Sequence, residues 1–256
     1  GRDTVGGVTR VATDEELADR EPVAGDLHGA GPARPRGRVA SWVRETAIIL
    51  VSALVLSMLI KTFLVQSFFI PTGSMEETLL VGDRVLVSKL APGPLEVHRG
   101  DVVVFTDPGG WLDPDPTPAP GGLGGAVRRV LTFVGLLPQD DGDHLIKRVI
   151  GVPGDTVECC DAQGRVSVNG VPIDEPYLAP GARPSEVEFS VVVPEGRLWV
   201  MGDNRQNSRD SRYKQGDPGG GTIPLDGVVG VAFLTLWPFD RAGVLRNPGE
   251  TFAAVP

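Results

Sequence analysis

Cysteine and histidine are scarce in this chain, whose 256 residues include two Cys and three His. The cysteines, Cys159 and Cys160, are neighbours, so a bond between them would close a trivial loop and could not hold distant segments together. Neither belongs to a Cys-x-x-Cys spacing or lies near a histidine pair, so we predict no metal site. We interpret both as structural residues on a strand, with a strained vicinal disulfide as the alternative.

Positive charge is also in deficit, since 24 Lys and Arg stand against 33 Asp and Glu for a formal net charge of −9. No block of basic residues marks a nucleic-acid-binding face, so we predict no nucleic-acid partner. No phosphate-cradling loop is present either, and we expect no cofactor. Turn-forming residues are abundant instead: 34 Gly and 23 Pro favour turn-rich β structure over a helical bundle.

One long apolar run, TAIILVSALVLSMLI at residues 46–60, has no charged side chain. Extended to Trp42 and Lys61 it reaches about twenty residues, or about 30 Å as a helix, which is enough to cross a bilayer. A cleaved signal peptide would be followed by small residues, whereas the bulky segment KTFLVQSFF follows here. A buried helix of a soluble protein would show a polar face, and this run has none. We therefore predict a retained transmembrane helix at residues 42–61.

Four arginines precede this run: Arg34, Arg36, Arg38 and Arg44. Because positive residues stay on the cytoplasmic side, they predict an inside N-terminus and an outside C-terminal part. Residues 1–41 are polar and rich in Gly, Pro and charge, which is typical of a disordered tail. The predicted order is a disordered cytoplasmic tail (1–41), a membrane helix (42–61) and an extracytoplasmic β domain (62–256).

After residue 70 the apolar residues alternate with a period of two, and Gly and Pro turns separate the segments. Seven segments are predicted strands: DRVLVSKL, GDVVVF, HLIKRVIGV, GRVSVNG, VEFSVVV, RLWVMGD and GVVGVAFLTLW. An insertion at about 107–143 interrupts them, with a Pro/Gly loop first and then a short amphipathic helix over AVRRVLTFVGLL. The predicted fold class is mainly β, a membrane-anchored antiparallel sheet domain after one N-terminal transmembrane helix.

The stretch FIPTGSMEETL places Ser74 on a sharp turn shortly after the apolar run. Pro-Thr-Gly-Ser is ordinary turn chemistry, but a serine held on such a turn at a membrane surface is also a candidate nucleophile. Such a serine needs a base, and with three histidines in no Asp-His-Ser order a triad is a weak candidate. Lys147, in the middle of the apolar strand HLIKRVIGV, is the other candidate, because burial lowers the pKa of a lysine. The alternative for Lys147 is an edge position with its ammonium group in water.

A third polar segment, MGDNRQNSRDSR at residues 201–212, packs acids, arginines and hydroxyls into one loop after a strand. Dense polar loops are often solvated turns, although paired acids and arginines also suit a site that needs fixed geometry. Taken in order, PTGSM, GDRVLVSK, RGDVVVF, IKRVIGVPGD and GDNRQNSRDSR resemble the motifs of the bacterial type I signal peptidases. The resemblance runs from about residue 46 to about residue 241, and the five motifs together are highly specific.

The resemblance implies a serine endopeptidase with a Ser–Lys dyad, which removes signal peptides from secreted preproteins after a small residue. It would act at the outer face of a bacterial cytoplasmic membrane, with the preprotein and the lipid bilayer as its partners. By position, Ser74 matches the nucleophile and Lys147 the general base. Ser208 matches the serine that orients the lysine amine, and Thr72 stands at the hydroxyl position of the oxyanion hole, beside the Ser74 backbone N–H.

Two larger sets of residues also match the family by position. The structural ion-pair framework around the dyad corresponds to Arg148, Asp203, Asp210 and Arg212. The apolar wall of the substrate pocket corresponds to Phe68, Ile70, Met75, Leu79 and Ile146.

This sequence departs from the family pattern after the nucleophile, where Met is often followed by Pro-Thr-Leu and this chain has Glu76, Glu77, Thr78 and Leu79. The insertion at 107–143 is longer than in compact members, and many relatives have two membrane spans. Two other interpretations stay open. One is a soluble self-cleaving repressor with the same dyad, which the membrane span and the lack of a helix-turn-helix pattern disfavour. The other is a membrane-anchored β domain that binds a partner and has no catalytic activity.

Overall fold

The computed structural model describes residues 36–112, 122, 124–125 and 143–256. The chain divides into two compact units, Gly1–Ala47 and Ile48–Pro256. The first unit is described only from Arg36 onward, as the N-terminal part of a helix. Most of the predicted tail, and the helix predicted over residues 126–137 of the insertion, lie outside the described residues.

Helix α1 runs from Arg36 to Phe63, so it begins before Trp42 and ends two residues beyond Lys61. Within it, Ser41–Ile60 has a mean hydropathy of 2.0, and none of this segment is buried. Among the described residues, α1 is the one helix long and apolar enough to span a membrane. Residues 46–60 contain no charged residue, so apolar side chains lie on all sides of this part of the helix. This distribution is typical of a helix in a nonpolar environment.

The rest of the described chain is β structure joined by turns and short 3-10 helices. The strands are β1 (Val65–Phe69), β2 (Arg84–Ser88), β3 (Val102–Thr106), β4 (His144–Gly151), β5 (Thr156–Cys159), β6 (Val166–Val168), β7 (Val171–Pro172), β8 (Phe189–Val192), β9 (Arg197–Met201), β10 (Ile223–Pro224), β11 (Val228–Trp237) and β12 (Gly243–Val244). The larger sheet has the order β1-β2-β11-β3-β4-β9-β10, with β12 on β11. The smaller sheet has the order β7-β6-β5-β8, and the strand pairs in both sheets are antiparallel. The predicted mainly β, antiparallel fold after one apolar helix is confirmed.

All seven predicted strands are present, as β2, β3, β4, β6, β8, β9 and β11. The sequence did not separate β1 from the apolar run before it, and it missed the short strand β5. Cys159 ends β5 as a strand residue, but Cys160 follows the strand and is joined to Cys159 by a disulfide. The interpretation of both cysteines as unlinked structural residues was therefore wrong, and the vicinal disulfide that was left as the alternative is present.

Strand β4 is paired along its two edges with β3 and β9, and its residues from Leu145 to Gly151 are buried on both faces. Leu145 and Val149 belong to one hydrophobic cluster, Ile146 to a second and Ile150 to a third. Apolar packing on both faces surrounds the middle of the strand and keeps water away from any polar side chain there. The register pairs Arg148 with Met201, so the loop that follows β9 begins beside the polar centre of β4.

Candidate active site

Ser74 lies in a short 3-10 turn, Gly73–Met75, in which Ser74 and Met75 are buried. Thr72, at the start of the turn, has an extended backbone with φ −127° and ψ 153°. Met75 and Leu79 are fully buried and anchor the turn to the hydrophobic core. Burial of these two side chains leaves Ser74 only 6% exposed, with its hydroxyl facing the centre of β4.

The structure brings Ser74 and Lys147, which are 73 residues apart in the chain, into direct contact. A hydrogen bond of 2.7 Å joins Lys147 Nζ and Ser74 Oγ, and Lys147 Nζ also donates to the carbonyl oxygen of Ile146 at 2.9 Å. Lys147 is 4% exposed, so the alternative of an edge lysine in water is wrong. A hydroxyl and an amine at this distance form the geometry of a nucleophile and its base.

Burial lowers the pKa of Lys147 to about 8, because the ammonium form loses its hydration inside the protein. The carboxylates of Asp210 and Asp203 raise the pKa and partly oppose this effect. At pH 7.4 a pKa of about 8 leaves roughly one lysine in five neutral, against about one in a thousand for a lysine in water. A substantial fraction of Lys147 is therefore neutral near neutral pH, and the neutral amine is the form that can accept a proton.

Two buried ion pairs surround this pair of residues. Arg148 donates from Nε and Nη2 to the two carboxylate oxygens of Asp203, at 2.8 and 2.6 Å. Arg212 contacts Asp210 in the same bidentate way, at 2.8 and 2.9 Å. Each carboxylate thus has a guanidinium partner in fork geometry, which offsets the cost of burying both charges. The four residues predicted as an ion-pair framework do form two pairs; their role in activity is a separate question.

Ser208 is buried, and its hydroxyl lies close to the carboxylate of Asp210. Gly202 lies against it, because a side chain at Gly202 would collide with Ser208 Oγ and with the carbonyl oxygen of Ser74. The absence of a side chain at position 202 thus lets the loop after β9 approach the serine turn. The structure brings Ser208 into this region, and the orientation of the Lys147 amine by Ser208 stays a prediction.

Thr72 is exposed, and its side chain forms no capping hydrogen bond with the turn that it precedes. Its hydroxyl is therefore not engaged in holding that turn. The assignment of Thr72 to the oxyanion hole stays a prediction.

The residues predicted to line the substrate pocket lie together in one hydrophobic cluster: Phe68, Ile70, Met75, Leu79 and Ile146. Ile70, Met75 and Leu79 are at most 1% exposed, so they form the interior of this wall. Phe68 and Ile146 are slightly more accessible, and the Phe68 ring packs on His144 with centroids 5.3 Å apart. The other histidine of the described chain, His98, is exposed. Neither histidine occupies the position of the base beside Ser74.

The sequence analysis missed a third buried ion pair. Arg205 donates from both terminal nitrogens to Glu175, and it also bonds the carbonyl oxygen of Gly202 at 3.0 Å. Tyr177 donates to Glu175 at 2.7 Å, and its ring lies 4.2 Å below the guanidinium of Arg148. The density of charge in GDNRQNSRDSR marked Arg205 as polar, but no local pattern in DEPY indicated its partner 30 residues away.

No group of three or more His, Cys, Asp or Glu within the described ranges is arranged to hold a metal ion. The chemistry that the geometry supports needs only protein groups, namely a hydroxyl and an amine with a lowered pKa. These features define a candidate serine hydrolase with a lysine base.

Comparison with known proteins gives the family. The model for signal peptidase, peptidase S26, matches residues 42–237, and the chain belongs to that family. It is 42% identical over 245 residues to signal peptidase I of Mycobacterium tuberculosis (strain ATCC 25618 / H37Rv), covering 87% of this chain and 82% of that protein. It is 39% identical over 240 residues to the probable signal peptidase I of Mycobacterium leprae, covering 83% and 82%. The sequence-based resemblance and the prediction of a serine endopeptidase are confirmed.

A solved signal peptidase I from Enterococcus faecalis V583 is 25% identical and has a TM-score of 0.35. The match covers 54% of this chain and 97% of that structure.

Proposed function

We propose that this protein removes signal peptides from secreted preproteins, and that Ser74 and Lys147 are its catalytic dyad. The observation that carries the assignment is the 2.7 Å hydrogen bond between Ser74 Oγ and the buried Nζ of Lys147. Membership of the signal peptidase family gives the substrate class. The lowered pKa of Lys147 increases the fraction of neutral amine near neutral pH, and the neutral amine is the form that accepts a proton.

The reaction begins when the neutral Lys147 amine accepts the proton of Ser74 as Oγ attacks the scissile carbonyl carbon. The resulting lysine ammonium then gives its proton to the leaving amine of the mature protein, which leaves an acyl-enzyme on Ser74. Water, deprotonated by the same amine, attacks the acyl carbon; the bond to Ser74 Oγ breaks as the lysine ammonium returns its proton to Oγ, and the signal peptide is released with a free carboxylate. The negative charge on the substrate oxygen is stabilised by the Ser74 N–H and the Thr72 hydroxyl, which act as the oxyanion hole.

The remaining predicted residues support this dyad. Ser208 orients the Lys147 amine toward Ser74, and its burial beside Gly202, which also lies against the serine turn, supports this role. The pair Arg148–Asp203 joins β4 to the loop after β9, and the pair Arg212–Asp210 lies within that loop and stabilises its conformation. The five residues Phe68, Ile70, Met75, Leu79 and Ile146 form an apolar wall that suits a small substrate side chain at the cleavage site.

We infer that the apolar helix α1 holds the site at a membrane. Strand β1 starts two residues after α1 ends, and β1 pairs with β2 of the larger sheet. We assign residues 42–61 as the membrane helix of a single-pass protein in a bacterial cytoplasmic membrane, with residues 1–41 inside. Residues 62–256, with their insertion at about 107–143, form the extracytoplasmic catalytic domain. A signal peptide in the same bilayer then presents its cleavage site near Ser74.

Detergent-solubilised full-length protein incubated with a purified preprotein tests this function. We expect one cut after a small residue, identified by mass spectrometry of the mature N-terminus. Ser74→Ala should lose at least about a thousandfold in rate, as removal of a catalytic nucleophile does. Ser190→Ala, which changes an exposed serine on β8, is the matched control and should keep full activity.

The alternative of a non-catalytic β domain makes the opposite prediction. It would bind the preprotein and leave it intact, and Ser74→Ala would behave as the wild type does. More than about a tenth of wild-type activity in Ser74→Ala would remove Ser74 from the role of nucleophile.

A further inference from the structure

Asn204, the second residue after the buried Gly202, contacts the serine turn with both its backbone and its side chain. Its backbone N–H donates to the carbonyl oxygen of Ser74 at 3.1 Å. Its side-chain Nδ2 donates to the carbonyl oxygen of Gly73 at 3.0 Å and to Oε2 of Glu76 at 2.9 Å. The two carbonyl groups on either side of the nucleophile are thus held by one residue of the loop after β9.

The chemistry of these partners fixes the side-chain amide of Asn204 in one orientation. A backbone carbonyl and a carboxylate only accept hydrogen bonds, so Nδ2 and not Oδ1 must face both of them. The carboxylate of Glu76 folds back under the turn, because a side chain at Gly73 would lie 2.5 Å from Glu76 Oε1. Glu76 therefore occupies one of the two Nδ2 hydrogens and leaves the other aimed at Gly73.

The bond to Gly73 determines where the Ser74 N–H points. The peptide unit between Gly73 and Ser74 is planar and trans, so its carbonyl and its N–H point in opposite directions. Asn204 Nδ2 and the backbone N–H of Glu76, at 3.0 and 3.2 Å, both hold the Gly73 carbonyl on one side of the turn. The Ser74 N–H is consequently directed to the other side.

We propose that Glu76 and Asn204 are positioning residues that aim the Ser74 N–H at the substrate oxygen. This inference rests on the proposed function, in which that N–H is an oxyanion donor. Without the Glu76 carboxylate, one Nδ2 hydrogen loses its acceptor and the amide is free to rotate away from Gly73. The peptide plane of Ser74 then loses its main side-chain restraint, while the contact between Ser74 Oγ and Lys147 Nζ is formed by other elements.

The test compares Glu76→Ala, Glu76→Gln and Asn204→Ala with the control Glu77→Gln. Glu77 is the neighbouring glutamate, and its side chain is exposed, so the control removes the same charge without touching the turn contacts. Each full-length variant is assayed in detergent for kcat and KM on the same preprotein, for its pH–rate profile and for its thermal midpoint. Wild-type cleavage in the same assay establishes the proposed function independently of the variants.

We expect Glu76→Ala and Asn204→Ala to lower kcat at least about tenfold, since misplacement of a catalytic group by about 1 Å costs up to about a hundredfold. KM should change by less than about twofold, and the ascending limb of the pH profile should stay in place because Lys147 is untouched. Glu76→Gln should recover most of kcat, because an amide oxygen can also accept from Asn204. Glu77→Gln should match the wild type.

Three results would overturn the inference while leaving the proposed function intact. The first is full kcat in Glu76→Ala with an active wild type. The second is a loss that Glu76→Gln does not restore. The third is a loss equalled by Glu77→Gln, which would indicate a general effect of charge near the site. If Asn204→Ala fails to fold, the two Glu76 variants decide the inference. Absence of cleavage by the wild type would contradict both the proposed function and this inference.

Discussion

Lys147 and Arg148 are adjacent cations in β4, and both are buried, but their partners are of different kinds. Arg148 is paired with the carboxylate of Asp203, whereas Lys147 bonds a hydroxyl and a backbone carbonyl. Burial therefore lowers the pKa of Lys147, while ion pairing raises the pKa of Arg148 against the effect of desolvation. Strand β4 thus contains Arg148, which stays charged and forms an ion pair, next to Lys147, whose amine can lose its proton.

The first prediction concerns the acidic partner of Arg148. Asp203→Asn removes a carboxylate that raises the pKa of Lys147, so the ascending limb of the pH–rate profile should move to lower pH. The same change leaves Arg148 buried without its partner and should lower the free energy of unfolding by about 3–5 kcal/mol. Denaturant unfolding and a pH–rate profile measure the two effects. A limb that moves to higher pH would contradict the assigned electrostatics.

The second prediction concerns Thr72. Thr72→Val keeps the shape of the side chain and removes its hydroxyl. One oxyanion donor is worth about 3 kcal/mol, or roughly a hundredfold in turnover, so kcat should fall while KM changes little. Because Thr72 is exposed and forms no cap bond, the thermal midpoint should stay unchanged. A change confined to KM would mean that Thr72 contacts the substrate and does not stabilise the oxyanion.

The third prediction concerns topology. The four arginines that precede residues 46–60 predict an inside N-terminus, so protease added to intact spheroplasts should degrade residues after 61. An epitope at the N-terminus should survive, and lysis of the spheroplasts should expose it. Survival of the C-terminal domain in intact spheroplasts would reverse the assigned orientation.

Much of this fold was predictable because apolar and polar residues alternate along its strands, and Gly and Pro turns separate the strands. The seven strands found this way include β4 and β9, which position the site. Strand β1 was missed because it continues an apolar segment without a turn residue, so no change of pattern marked its start. The short strand β5 has four residues, too few for alternation to be a firm signal.

The site was predictable where local chemistry is unusual and unpredictable where it depends on distant partners. A lysine inside an aliphatic strand indicated a buried amine, and the structure places Lys147 there. The pairing of Arg205 with Glu175 and the stacking of Tyr177 on Arg148 join segments with no shared pattern. The contact of Asn204 with Glu76 spans 128 residues and likewise depends on the tertiary fold alone.

The lowered pKa of Lys147 also makes the free energy of unfolding depend on pH. Lys147 binds its proton less tightly when folded, so between the folded pKa of about 8 and the unfolded value of about 10.4 the unfolded state holds more protons. Stability from this group therefore rises with pH across that window, and below pH 8 the buried charge costs roughly 3 kcal/mol. Lys147→Met should unfold at a higher temperature than the wild type at pH 7, and the difference should shrink as the pH approaches 10.5.

The central claim, that Lys147 is the base for Ser74, is tested most directly by the pH dependence of preprotein cleavage. The rate should rise along a limb centred near pH 8, where Lys147 loses its proton. Lys147→Arg should be inactive across the whole range although it keeps the charge, because a guanidinium stays protonated. Cleavage by Lys147→Arg, or a limb near pH 6.5 that disappears in His144→Ala, would contradict the claim and assign the base to a histidine.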